Sequence, residues 1–187
     1  SAALLTLLVV SLATPVLAFD GRGGTNVTVA ADEIINDDLY VGAQSFTLDG
    51  TVKGDVVAYG AVITIHGTVA GDLIAAGQTI IVNGTVTGSA RIAGGALFIG
   101  EKAKIGGDIV SAGASLEIRK GSSTGQDLVF FGGQALLAGD IVRNVNFGGG
   151  GLDIRGTIGG NVEASVGDAG SSGPGPSLYL PQSPISL

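Results

Sequence analysis

A 17-residue repeat limits the folds that this chain can adopt. Residues 38–54, 55–71 and 72–88 each open with Asp, carry Gly-Thr-Val near their end and close with Gly. Two units of 19 residues follow, and the period returns to 17 at residues 127–143 and 144–160, which makes seven units. A unit of this length cannot bury its own apolar side, so stacked neighbours must share one core.

Within each unit, apolar residues alternate with polar or small ones, as they do in a β-strand. Three aliphatic columns recur once per unit, and we predict that all three face the core. They are Leu39, Val56, Leu73, Ala90, Ile109, Leu128 and Val145; Leu48, Ile65, Val82, Ile99, Ile118, Leu137 and Ile154; and Val52, Val69, Val86, Ile105, Thr124, Ile141 and Ile158. The longer units place their extra residues at Glu101-Lys102 and Lys120-Gly121, where a turn can absorb them.

These columns predict an all-β fold. We expect a β-helix, or β-solenoid, of about seven coils of 17–19 residues, with three sheets around a triangular core. Each coil then adds one strand to every sheet, at a spacing of about 4.8 Å. A right-handed coil agrees with the general preference for right-handed crossovers.

Composition excludes several other classes of protein. Gly occupies 34 of 187 positions, but not every third one, so the chain is not collagen-like. It is 45% hydrophobic and only 13% charged, the opposite of a disordered tail. The absence of Cys excludes a disulfide framework and a thiolate metal site. A net charge of −7 offers no basic surface to a nucleic acid.

Four segments are predicted along the chain. Residues 1–18 form a signal peptide or an N-terminal membrane anchor, because they are uncharged and end in the cleavage-like Val16-Leu17-Ala18. The other three are an irregular cap at 19–37, a β-helix domain at 38–166 and a Gly/Pro/Ser-rich linker or disordered tail at 167–187.

The tandem pattern Gly-Thr-Val-x-Gly-Asp, at residues 50–55 and again at 67–72, resembles the bactofilin family of polymer-forming cytoskeletal proteins. The resemblance covers about residues 38–164. It implies a right-handed β-helix that polymerises end to end, without nucleotide, into non-polar filaments. The partner would be the chain itself, and no enzymatic activity, cofactor or nucleic acid is expected.

The uncharged N-terminal segment distinguishes the chain from cytosolic members of that family and favours an exported or membrane-associated branch. We therefore expect a structural protein of the bacterial cell envelope, with membrane or envelope components as further candidate partners. Two alternatives stay open. The chain could keep its N-terminal anchor and lie on the cytoplasmic face of the membrane, or it could be an exported binding module for Ca²⁺, glycan or ice.

A column of polar residues could bind a cation or could bond to the backbone. Its members are Asp38, Asp55, Asp72, Ser89, Asp108, Asp127, Asn144 and Asn161. Ca²⁺ would offset the repulsion between stacked carboxylates. Alternatively, each side chain accepts a backbone N–H at a corner, which Ser and Asn can do as well as Asp. The substitutions favour backbone bonding, and no metal site is predicted.

The arrangement of the remaining polar residues argues against an enzyme. His66 is the only histidine, and we expect it on an outward-facing position between Asp49 and Asn83. One His cannot form a zinc site, and no Ser or Thr is placed to form a nucleophile with it. The 17-residue period departs from the 18-residue coils of hexapeptide acyltransferases. The uniform units also lack the long loops that form the cleft of a polysaccharide lyase.

Two outward-facing features could bind a surface or a partner. Thr51, Thr68, Thr85 and Thr157 share one place in the unit, as in an ice-binding array, but Thr is also a good solvent-side strand residue. Apolar residues recur on outward places as well, which often marks a partner, a membrane or lateral contact between filaments. They are Val57, Ile74, Val110 and Val129 in one column, and Ile81, Phe98 and Leu136 in another.

The ends of a solenoid expose unpaired backbone groups and an open core, so they must be capped or used for assembly. We predict that the two end layers form the polymerisation interface. Its residues are Leu39, Val41, Phe46 and Leu48 in the first full coil, and Val145, Phe147, Leu152, Ile154, Ile158 and Val162 at the other end.

Overall fold

The structure is a computed structural model that describes residues 19–167. The predicted N-terminal segment 1–18 and nearly all of the predicted tail lie outside the described residues. Within residues 19–167, every regular element is a β-strand, and no helix long and apolar enough to span a membrane occurs there.

Long and short strands alternate along the chain. The long ones are β1 (Asp20–Val29), β3 (Leu39–Leu48), β5 (Val56–Ile65), β7 (Leu73–Val82), β9 (Ala90–Ile99), β11 (Ile109–Ile118), β13 (Leu128–Leu137), β15 (Val145–Ile154) and the shorter β17 (Val162–Val166). The short ones are β2 (Ile34–Ile35), β4 (Thr51–Val52), β6 (Thr68–Val69), β8 (Thr85–Val86), β10 (Lys104–Ile105), β12 (Ser123–Thr124), β14 (Asp140–Ile141) and β16 (Thr157–Ile158).

Each strand pairs in parallel with its counterpart in the next coil, which makes the fold a β-solenoid of about nine turns. The long strands form one nine-stranded sheet and the short strands form an eight-stranded sheet. Equivalent residues of the repeat lie side by side, as Leu39, Val56 and Leu73 do. The length of the sequence repeat therefore sets the register between neighbouring strands, and the coils stack along a single rod axis.

The prediction of three sheets was wrong, because one continuous sheet supplies two of the three sides of the core. In β5, Val56 and Ala58 point inward and so do Ile63 and Ile65. The five-residue step from Ala58 to Ile63 reverses the alternation, so the strand bends through a corner while its pairing continues on both sides. The short strands close the third side.

The three predicted core columns are buried along the rod, which confirms their inward orientation. Only Ile154 and Ile158, in the last of the seven predicted units, remain half-buried. Thr124 is the polar exception: its hydroxyl oxygen is buried and has no hydrogen-bond partner.

Glycine marks all three corners because stacked coils approach too closely there for a side chain. At the corner inside the long strands, a Cβ on Gly77 would lie 2.5 Å from the carbonyl oxygen of Gly60 in the preceding coil. At the corner before the short strand, a Cβ on Gly84 would meet the carbonyl oxygen of Gly67. The third corner, after the short strand, holds the Gly that closes five of the seven predicted units. The glycine content therefore follows from three corners per coil.

The solenoid extends beyond the seven predicted coils at both ends. Residues 19–37, for which the sequence predicts an irregular cap, contain β1 and β2, and these pair in register with β3 and β4. At the other end, β17 adds part of a further coil on β15. The right-handed winding stays a prediction.

Four-residue turns absorb the extra residues of the 19-residue coils, as predicted. They span residues 100–103 and 119–122, and the first coil has a third such turn at 30–33. Each turn is closed by a backbone hydrogen bond, such as the one from the N–H of Ala103 to the carbonyl of Gly100 (3.0 Å). In the turn at 119–122, Gly121 has φ of 98°, which a residue with a side chain rarely adopts.

Candidate functional site

The polar column at the corner after the short strands is a hydrogen-bonded ladder, which we call the aspartate ladder. In each coil, a side-chain oxygen accepts the backbone N–H of the ladder residue in the next coil. Asp38 Oδ1 accepts from Asp55 (2.8 Å), Asp55 from Asp72 (2.8 Å), and the series continues to Asn161, whose N–H donates to Asn144 Oδ1 (2.9 Å). Backbone bonding is therefore confirmed as the role of these residues.

The ladder also explains the Gly-Asp pair at three of the junctions between units, residues 54–55, 71–72 and 107–108. A Cβ on Gly71 would collide with Oδ1 of Asp55, and a Cβ on Gly88 with Oδ1 of Asp72. The closing Gly therefore makes room for the ladder side chain of the preceding coil. In Gly67-Thr68-Val69-Ala70-Gly71-Asp72, both glycines stand at corners, Thr68 faces outward and Val69 faces the core.

Ladder hydrogen bonds stabilise the charged form of two of the carboxylates, Asp72 and Asp127. The N–H of Ser89 and, secondarily, the guanidinium of Arg91 hold the pKa of Asp72 below its usual value. The N–H of Asn144 does the same for the pKa of Asp127. Across residues 19–167, no group of three or more His, Cys, Asp or Glu side chains is arranged to hold a metal ion.

The other predicted outward-facing residues lie where the register puts them. His66 Nδ1 is 3.0 Å from Asp49 Oδ1, and both side chains are exposed. Thr51, Thr68 and Thr85 form one rank, which Lys104 interrupts.

The predicted apolar columns also face outward. In the first column, Ile74 and Val110 are exposed, whereas the members of the second column are half-buried. Two aromatic side chains that the sequence analysis did not single out are more exposed: Tyr59 at 73% and Phe131 at 61%.

Charged side chains cover part of the N-terminal end of the core. Asp20 and Arg22 occupy the two inward positions of β1 that pair with Leu39 and Val41. The Arg22 guanidinium donates to Asp20, with Nη2–Oδ2 at 3.0 Å, and also to Glu33. We call Asp20, Arg22 and Glu33 the N-terminal charge cluster. Arg22 lowers the pKa of both carboxyl groups, and they in turn raise the pKa of Arg22.

Apolar side chains remain accessible at the C-terminal end of residues 19–167, where the last described coil is incomplete. β17 pairs only with residues 145–149 of β15, and in the described part of the chain nothing pairs with the outer edge of residues 150–154 or of β16. As a result, Leu152, Ile154 and Ile158 stay half-buried, and Val162 is 41% exposed. We call this half-covered end the C-terminal step.

The predicted polymerisation residues fall into two groups, one buried inside the rod and one accessible at the C-terminal step. Leu39, Val41, Phe46 and Leu48 do not form the outer layer, because β1 covers them and leaves each no more than 5% exposed. Val145 and Phe147 are also interior, since β17 covers them.

The remaining four predicted residues, Leu152, Ile154, Ile158 and Val162, do lie at the accessible C-terminal end.

Sequence reasoning missed the N-terminal charge cluster because its inward residues break the aliphatic pattern. The available signal was the alternation of Asp20, Gly21 and Arg22, which has strand periodicity without apolar residues.

Comparison with known proteins agrees with this geometry. A sequence profile of the bactofilin family, described as polymer-forming cytoskeletal, matches residues 27–127, just over half of the chain. No curated protein and no solved structure gives a significant match. The matched segment contains all five Asp residues of the ladder and the Gly-Thr-Val units at residues 50–52, 67–69 and 84–86. The chain therefore belongs to the bactofilin family of polymer-forming cytoskeletal proteins.

Proposed function

We propose that the protein assembles end to end, without nucleotide, into filaments or scaffolds at the bacterial cell envelope. The observation that carries the proposal is the C-terminal step, where aliphatic side chains and a strand edge have no cover among residues 19–167. Bactofilins are structural, non-enzymatic proteins that form polymers, so self-assembly is the expected use of such an end.

The architecture restricts where strand pairing can extend the molecule. Between the ends, both edges of each long strand pair with neighbouring coils. Among the described residues 19–167, unpaired sheet edges therefore lie only at β1 and β2 and at the C-terminal step. Because exposed edges are templates for pairing with another chain, growth by strand addition runs along the rod axis.

The contact at the step needs no bound nucleotide. Leu152, Ile154 and Val162 would lose exposed apolar surface on association, which is favourable at roughly 25 cal/mol per Å². The unpaired backbone groups of residues 150–154 would gain partners at the same time.

The envelope location is supported by the uncharged segment at residues 1–18. An exported protein and one anchored on the cytoplasmic face would both carry such a segment. Protease protection of the full-length chain in spheroplasts separates the two. Digestion from outside supports the exported location, and full protection supports the cytoplasmic face.

Electron microscopy and sedimentation of purified residues 19–187 test assembly. We expect filaments with no nucleotide present and no change in their length when ATP or GTP is added. A strict monomer at all accessible concentrations would contradict the proposal.

A further inference from the structure

We propose that a groove along one corner of the rod binds an extended, neutral polysaccharide strand. The groove has a volume of about 820 Å³ and crosses five coils, from Gly24 to Gly95. Four coil spacings of about 4.8 Å make it about 19 Å long. This activity goes beyond the proposed function, because the side chains that define the groove lie on interior coils and not at the ends of the rod.

Glycine and alanine form the floor of the groove, because stacked coils approach closely at the corner inside the long strands. A Cβ on Gly60 would collide with the carbonyl oxygen of Ala43 in the preceding coil. Strand pairing continues across the floor, from Gly60 to Gly77 and from Gly77 to Gly94. Few backbone groups are therefore left for a ligand, and recognition depends on the side chains of the two rims.

Three side chains stand on the rims, with Tyr59 on one and both Gln44 and Gln78 on the other. Tyr59 pairs with Gly42 and Ala76 in the neighbouring strands, and the two glutamines follow those residues by two places. The phenol ring is therefore flanked across the corner by one amide in the preceding coil and one in the following coil. All three side chains are exposed, and Gly42 and Ala76 are too small to cover the faces of the ring.

The fold does not require these three residues at their places. Within residues 19–167, the place of Gln44 and Gln78 holds Gly or Ala in every other coil except the first, which has Thr25. The two amides of that column are thus the two that flank Tyr59. Three side chains with related chemistry therefore meet at one point of a groove that elsewhere has small residues.

The chemistry of the groove selects a neutral ligand rich in hydroxyl groups. None of the described residues that line it is charged, so an ion would lose hydration without gaining a counter-charge. Each Gln amide has both donors and an acceptor, which suits sugar hydroxyls because these also donate and accept. The negatively polarised face of the Tyr59 ring suits the weakly positive C–H groups on one side of a sugar ring.

Other classes of partner match these groups less well. An apolar partner, such as a lipid tail or the apolar face of a helix, would bury both amides without hydrogen-bond partners. A proline-rich peptide docks against several aromatic side chains, whereas Tyr59 is the one aromatic residue among the described residues of the groove. Proline also lacks the N–H that the oxygens of Gln44 and Gln78 would accept.

The direction of the groove favours a straight strand. Register aligns the corner glycines of successive coils, so the groove runs parallel to the rod axis. The coil spacing of about 4.8 Å is close to the length of one sugar in an extended β-1,4-linked strand, so neighbouring sugars would meet Gln44, Tyr59 and Gln78 in turn. One ring and two amides give weak binding, roughly millimolar for each site.

Saturation-transfer NMR of the full chain with cellohexaose, a neutral β-1,4-linked hexasaccharide, tests the proposal. The method detects weak binding and suits large receptors, so it applies to assembled and to monomeric protein. We expect saturation of the sugar C–H protons that face Tyr59. Maltohexaose is the matched ligand, because it has the same sugars in a curved α-linked chain. It should bind about fivefold more weakly, the equivalent of one lost hydrogen bond.

Substitutions on the rims separate a binding site from an exposed ring. Tyr59→Ala should weaken cellohexaose binding about fivefold, and Tyr59→Phe should retain it because the ring remains. Gln44→Ala and Gln78→Ala should each weaken binding about fivefold as well.

The matched control is Phe131→Ala. Phe131 has the same place in its unit as Tyr59 and is 61% exposed, but Ala114 and Gly150 stand where Tyr59 has the two glutamines. This variant should bind cellohexaose as the parent does. Thermal melting of each variant verifies that it is folded.

Parent-like binding by Tyr59→Ala, an equal loss in Phe131→Ala, or equal binding of the two hexasaccharides would overturn the proposal. So would binding that appears only after residues 1–18 or 168–187 are removed, because the chain itself would then occupy the groove. Filament formation by the parent is measured independently of the sugar. Filaments without cellohexaose binding would therefore reject the groove as a site and leave the proposed function standing.

Discussion

Among residues 19–167, the N-terminal end of the solenoid is a complete coil with charged side chains at two inward positions, whereas the C-terminal end is half a coil with only apolar ones. At the first end, Arg22 satisfies Asp20 and Glu33 within the chain. At the second, Leu152 and Ile154 lack a further coil in the described structure. Within residues 19–167, the charged groups of the N-terminal end are therefore paired with one another, whereas the apolar side chains of the C-terminal end are only partly covered.

Because one end is charged and the other apolar, we expect the two ends to associate with different strength and to respond differently to salt. Burial of aliphatic side chains depends little on ionic strength, whereas contacts between charged ends are screened by salt. Residues 19–37 carry four acidic residues against Arg22 alone. We therefore expect two N-terminal ends to repel each other and two C-terminal steps to attract each other.

The strongest destabilisation is expected from a substitution inside the C-terminal end, beneath its surface. Phe147 is 4% exposed and stacks on Phe130, with ring centroids 5.8 Å apart. Phe147→Arg should destabilise the last coils by at least about 3 kcal/mol, because it removes a buried ring and buries a charge. Hydrogen exchange should show lost protection in β13, β15 and β17. Unchanged protection there would mean that β17 does not cover Phe147 in solution.

The next prediction concerns a variant that should lose assembly but keep its fold. Leu152→Arg places a charge on the C-terminal step, where no coil covers it in the described structure, so the melting temperature should change little. Filaments should disappear, because the charge would have to be buried in the contact between copies. Electron microscopy and thermal melting beside the parent check both halves of this expectation. Filaments of normal length would show that the step is not an assembly surface.

A smaller effect should distinguish the ends by their response to salt. At about 0.01 M ionic strength the screening length is about 30 Å, so repulsion between N-terminal ends should limit assembly to dimers joined at the C-terminal step. At about 0.15 M the length falls to about 8 Å and filaments should grow. Sedimentation velocity across this range measures the change. Filaments that shorten as salt rises would reverse the roles assigned to the two ends.

The smallest effect is confined to the first coil and depends on pH. Arg22 lowers the folded-state pKa of Asp20 and Glu33, so their contribution is complete above the unfolded values near about 4. It is lost as the pH falls through the lowered folded values. Both side chains are about one-third exposed, so the loss should stay below about 1 kcal/mol.

Hydrogen exchange of β1 between about pH 5 and pH 3 would detect this loss. The assembly-deficient Leu152→Arg variant separates it from end-to-end contacts. Adding Arg22→Gln should remove the acid response of β1. An acid response that persists in β1 would show that the charge cluster is not its source.

The sequence predicted the middle of the rod better than its ends. The three aliphatic columns, which contain Leu73, Val82 and Val86, repeat because every interior coil has a coil on both sides. The same places of the unit are therefore buried in each coil. An end coil has a neighbour on one side only, so its inward positions need not hold aliphatic residues. Asp20 and Arg22 could therefore occupy positions that hold aliphatic residues elsewhere, and the first coil was not recognised as a coil.

The number of sheets could not be predicted for a different reason. Glycine at the corner of Gly60 and Gly77 suggested a break between two strands, because Gly usually interrupts a strand pattern. In the structure, Gly is needed there because the carbonyl oxygen of the preceding coil occupies the place of a Cβ, and the pairing continues past it. A glycine within a strand pattern can mark either a close approach between backbones or a break in the strand, so the sequence does not distinguish the two.

The aspartate ladder has a mechanical consequence. In a solenoid, the backbone hydrogen bonds between coils run along the rod axis, and each ladder bond, such as that from Asp72 N–H to Asp55 Oδ1, crosses the same boundary between coils. Tension along a filament would therefore load all the hydrogen bonds of one boundary together, and the ladder adds one hydrogen bond to each boundary. A rod that fails under load should lose whole coils from an end, each releasing 17 to 19 residues, or about 60 Å of extended chain. Such a rod would extend in steps under force and could absorb work before the filament parts.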